Sequence, residues 1–103
     1  MASHAEAEQR SIALHRAVAE RLRADPSLLD RARARVESWS ADGTVHVHYV
    51  NAWRDVLSRP FDDVLAFIVS DGERACELRQ VSPFAGILAP RDRWRILREA
   101  ASR

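Results

Sequence analysis

Apolar residues recur at helical spacing along almost the whole chain, and prolines and glycines cut that pattern into short pieces. From about Ala5 to Ala24 the residues are strong helix formers. Leu14, Val18 and Leu22 make one stripe with His15 beside it, and Arg16, Glu20 and Arg23 lie outside it. Asp25-Pro26 stops this helix and starts another, because the residue before proline avoids the helical region, Asp caps well and Pro fits the first helical position. A second helix runs from Pro26 to about Ser40 with Leu29, Ala32, Val36 and Trp39 on one face, and Asp42-Gly43 ends it.

TVHVHY alternates Val45, Val47, Tyr49 with Thr44, His46, His48, which permits a short strand. No second strand exists to pair with it, and a lone strand would leave its backbone groups unsatisfied. The segment therefore reads as a loop into a third helix, roughly His46 to Ser58, with Tyr49, Trp53, Val56 and Leu57 inward. Arg59-Pro60 opens a fourth helix, with Asp62 and Asp63 in its first turn at the positive end of the dipole, and with Phe61, Val64, Leu65 and Ile68 buried. Ser70-Asp71-Gly72-Glu73 has capping-box spacing and leads into a fifth helix, Asp71 to about Gln80, with Ala75, Cys76 and Leu78 as contacts. Ser82-Pro83 opens one turn that Gly86 can close. Ala89-Pro90 starts a sixth helix with Trp94, Leu97 and Ala101 expected inward.

The fold expected is all-α, a compact bundle of five to six short helices, with residues 1–103 forming a single helical domain. With 103 residues the core is modest, and 47% apolar with 30% charged residues indicates a globular chain. The longest apolar run, Val64 to Val69, is too short to cross a bilayer. The N-terminal MASHAEAEQR has no apolar signal core, so a cytoplasmic location is expected. All 16 basic residues are arginine, as GC-rich bacterial coding favours, and the net charge is only +1. A nucleic-acid surface would therefore have to come from local clustering.

Reaction chemistry finds little support in the residues. His46 and His48 share a side of an extended segment, but zinc needs three or four ligands and no spacing supplies the rest. Cys76, the single cysteine, could pair with His15 as a nucleophile, yet it falls inside a helix among core residues, where cysteine is inert. Asp62 and Asp63 are explained by their place at a helix start. Gly43, Gly72 and Gly86 stand too far apart for a phosphate loop. No enzyme, metal or cofactor is expected.

Contact surfaces are better represented. Arg31 with Arg35, and Arg91 with Arg95 and Arg98, form helical faces able to grip phosphates, although Glu37, Asp92 and Glu99 partly neutralise them. Residues 65–84 imitate a helix-turn-helix with Gly72 in the turn, but Asp71, Glu73 and Glu77 make it acidic for a recognition helix. In RQVSPFAGILAPRDRWRIL, residues 79–97, Phe84, Ile87 and Leu88 either seal a corner of the bundle or form a partly exposed ridge flanked by Arg79, Arg91 and Arg93. Aromatic residues with arginine are what protein interfaces favour.

Three segments carry a resemblance: RSIALHRAVAERL (Arg10 to Leu22), Ala32-Arg33, and LRQVSPFAG (Leu78 to Gly86). Across nearly its whole length the chain resembles small all-helical bacterial proteins of two-gene, toxin–antitoxin-type modules. The resemblance implies a non-enzymatic, antitoxin-like module that binds a co-encoded protein, in such modules a toxin, and occludes its active surface. The contact residues expected are Arg10, Ser11, His15, Arg79, Ser82, Phe84 and Trp94. The alternative is a DNA-binding transcriptional regulator using the segment 65–84. Oligomeric state is open.

Overall fold

The computed structural model describes residues 4–102. The expectation drawn from the N-terminal ten residues rests in part on residues 1–3, which lie outside the described residues. Six helices and no strand occur among the described residues: α1 (His4–Ala24), α2 (Leu28–Asp42), α3 (Val47–Leu57), α4 (Phe61–Ile68), α5 (Glu73–Arg79) and α6 (Pro90–Ala101). The protein is thus an all-α bundle of short helices. Its radius of gyration of 13.5 Å is close to the roughly 13 Å expected for a chain of this length folded around one core. Among the described residues no helix is long and apolar enough to cross a membrane.

Each helix boundary has a local cause. α2 begins two residues later than the proline suggested. The Asp25 carboxylate accepts the Ser27 backbone N–H, and Leu28 and Leu29 close tight bonds to the Asp25 and Pro26 carbonyls before the regular helix starts. Gly43 ends α2 in the left-handed region at φ 70°, returning its N–H to the Trp39 carbonyl. α3 is capped by a side chain: Nδ1 of His46 accepts the His48 N–H at 3.0 Å. His46 therefore serves a helix end, while His48 turns to Glu77 at 3.2 Å. The expected capping box at Ser70 does not form. Ser70 Oγ accepts the N–H of Gly72, which is itself the N-cap of α5, so the helix starts at Glu73.

Trp53 on α3 sits at the centre with no exposure. Its ring meets Phe67 and Phe84 edge-on at 6.2 and 5.8 Å, and its indole N–H donates to the Val81 carbonyl at 2.6 Å. Around it pack Leu22 of α1, Ala32 and Val36 of α2, Val64 and Ile68 of α4, and Leu78 of α5. α1 spans the assembly and touches α2, α4 and α6, whereas α3 bridges α2, α4 and α5.

The connection between α5 and α6 is a sealed corner. Pro83, Phe84 and Ile87 are buried and Leu88 is half-buried. The Ile87 N–H bonds the Phe84 carbonyl across Ala85-Gly86, with Gly86 at φ 88°, the arrangement of a turn that needs glycine at its third position. The exposed apolar ridge is therefore absent from this segment.

α6 differs most from expectation. None of its residues is buried, and Trp94, expected inward, is 68% exposed. Ala101 is exposed too, and Leu97 is half-buried. Ile96, Leu97 and Ala100 offer a smooth small-aliphatic face, and the helix turns that face inward, which carries Trp94 to solvent.

Candidate functional site

Of the seven expected contact residues, six line one cleft: Arg10, Ser11 and His15 on α1, Arg79 at the end of α5, and Ser82 and Phe84 in the connection. Trp94 is not among them. α6 closes the cleft with Arg93 and Leu97, which the sequence reasoning did not select as site residues. The cleft holds about 490 Å³, within the range of small-ligand pockets.

His15 anchors it. Its Nδ1–H donates to the Ser11 carbonyl at 2.7 Å, and its Nε2 accepts the Ser82 hydroxyl at 2.8 Å. Burial, with Arg79 adding positive charge nearby, lowers its pKa from 6.5 to about 4 against the upward pull of the Ser11 carbonyl. The ring is therefore neutral at pH 7, and its edge meets Phe84 at 6.0 Å. Ser82 Oγ in turn accepts the Phe84 N–H. A serine hydroxyl on a histidine nitrogen is the start of a nucleophile–base pair. Here the second ring nitrogen is held by a backbone carbonyl instead of a carboxylate, and a base of this low pKa takes protons poorly at neutral pH. The linkage ties α1 to the corner.

Arg79 is buried, at 5% exposure, and so is Phe84, at 3%. Both were expected on a contact surface and are instead parts of the interior. The guanidinium donates from Nη1 to the Ile68 and Ser70 carbonyls, at the C-terminal end of α4, and from Nη2 to Cys76 Sγ. A cation at a helix C-terminus is electrostatically favoured. Its Nε has no acceptor, and no carboxylate lies within ion-pair distance of it among the described residues. No hydrogen bond joins Cys76 to His15, because Cys76 faces Asp71 and Arg79. Among the described residues no three His, Cys, Asp or Glu side chains gather where a metal could sit.

The outer face of α6 is a second feature. Trp94 has Arg91 three residues before it and Arg98 four residues after it, on the same side of the helix. Neither guanidinium has a hydrogen bond or ion pair among the described residues, while Arg95 is drawn to Asp92 and Glu99. The arginine face expected over Arg91, Arg95 and Arg98 is thus divided. On α2, Arg35 spends a donor on the Ala85 carbonyl.

The helix-turn-helix imitation falls on α4 and α5. Its second helix has only seven residues, buries Arg79 and pairs Arg74 with Glu77. Comparison with family models, with curated proteins and with solved structures returns no match.

Proposed function

We propose that this chain is a non-enzymatic protein-binding module whose working surface is the outer face of α6, docking on an acidic patch of a partner protein. The observation that carries the reading is Trp94, a large apolar ring left in solvent between two unpaired arginines on a helix with no buried residue of its own. Tryptophan and arginine are the residues that most often dominate binding energy at protein interfaces. Charge complementarity selects the partner: Arg91 and Arg98 supply planar donors without acceptors, so the opposing surface must bring carboxylates.

The resemblance to small proteins of toxin–antitoxin-type modules adds that the partner is co-encoded and that binding occludes its active surface. Support for a contact role without chemistry comes from His15 and Ser82, whose polar atoms are committed to holding the fold.

The test is coexpression with the product of the adjacent gene, followed by titration of the purified pair. A saturable complex weakened by Trp94→Ala supports the reading. Binding to duplex DNA that weakens steeply with salt, without a protein complex, replaces it with the regulator alternative.

A further inference from the structure

The cleft between α1 and α6 has a charge imbalance that the docking face does not use. Arg10 and Arg93 both line it, from opposite helices, and neither guanidinium has a hydrogen bond or ion pair among the described residues. Behind them Arg79 holds a buried positive charge that meets the carbonyl end of α4 and the Cys76 sulfur but, among the described residues, no carboxylate. Among the described residues no acidic side chain lines the cleft. Glu8, which lines the adjoining hollow beside Arg79, is turned to His4 at 3.2 Å. A buried cation without a counter-ion is costly unless an anion completes it. Beside Gln80 and the committed Ser11, His15 and Ser82, the wall carries an apolar share from Leu14, Leu88, Leu97 and Phe84.

We infer that this cleft is a binding site for a small carboxylate carrying an apolar body, the carboxylate held by Arg10 and Arg93 and the body laid against the leucines. Two arginine forks from opposite sides match the planar geometry of a carboxylate. A bare inorganic anion would leave the leucine side of the cleft wet. His15 and Ser82 do not neutralise the ligand, since their hydrogen bonds are already made; they fix the floor on which it rests. The inference stands apart from the docking role of α6.

The experiment is titration of the whole chain with hexanoate, followed by amide shifts in nitrogen–proton correlation spectra, with hexanol and inorganic phosphate as comparators. Hexanoate is expected to shift the Ser11, Ser82 and Gly86 amides saturably, with a Kd on the order of 1 mM, the scale for so small a ligand. The double variant Arg10→Gln, Arg93→Gln should weaken binding about tenfold or more while its spectrum stays dispersed as in the native chain. Arg21→Gln, on the same helix but off the cleft, should bind as the native chain does. Hexanol or phosphate binding as well as hexanoate, an unaffected double variant, or no saturable shift would each overturn the inference.

Discussion

His15 and Ser82, sixty-seven residues apart in the chain, are joined by a hydrogen bond of 2.8 Å from the serine hydroxyl to Nε2. In this direction the bond requires a neutral imidazole, and burial keeps the ring so, with a pKa of about 4 against 6.5 for the free side chain. The unfolded chain therefore binds a proton on His15 that the folded chain refuses, and stability rises with pH through that interval. The contribution is complete above about pH 6.5 and is lost as pH falls toward 4, a loss of about 3 kcal/mol at most. Urea unfolding at a series of pH values measures it. His15→Gln should be less stable at neutral pH and should show a flatter profile between pH 6.5 and 4. A native profile that is flat across that window would contradict the buried neutral ring.

Removing the other partner should also be felt. Ser82→Ala leaves Nε2 of His15 as a buried acceptor without a donor and takes away the acceptor of the Phe84 N–H. A cost of about 1–3 kcal/mol is expected from chemical denaturation. In His15→Leu, Ser82→Ala the two losses should not add, because each variant already breaks the same bond.

Trp53 combines volume with a hydrogen bond at the centre of the core. Trp53→Phe removes the indole N–H from the Val81 carbonyl and leaves space between Phe67 and Phe84. The expected destabilisation is about 2–3 kcal/mol, read from the denaturation midpoint at unchanged slope.

Gly43 isolates a backbone effect. A Cβ at this position meets no atom within 4 Å, so Gly43→Ala is strained by φ 70° alone. The loss should be about 1 kcal/mol, measured by thermal unfolding, and independent of core packing. A larger loss would contradict the open space around this position.

Helix boundaries and most buried faces were legible because their causes are local. Prolines at 26, 60 and 90, the glycine at 43, and the spacing of Leu29, Ala32 and Val36 or of Val64, Leu65 and Ile68 act over one or two turns. The rotation of α6 was not legible. Trp94, Leu97 and Ala101 make as good a stripe on paper as the Ile96, Leu97 and Ala100 face, and only packing against α1 decides between them. Arg79 looked like a surface charge because nothing within α5 reveals that the carbonyls of Ile68 and Ser70 converge on it. His46 gave no sign of capping α3, since an imidazole is an unusual cap. The candidate site divided in the same way. Its α1 and corner residues meet in one cleft, but Phe84 and Arg79 form its wall from inside, and Trp94 stands on a different face.

The central claim is that Trp94 and its arginines are a docking surface, and calorimetric titration against the product of the adjacent gene tests it most directly. The native chain should form a stoichiometric complex. Trp94→Ala should lose about 2 kcal/mol of binding or more, as an exposed ring buried at an interface would, while its denaturation midpoint stays within about 0.5 kcal/mol of native. Arg91→Gln, Arg98→Gln should weaken the complex further at low salt than at high salt. A native chain that forms no complex, or a Trp94→Ala chain that binds with native affinity, would contradict the account.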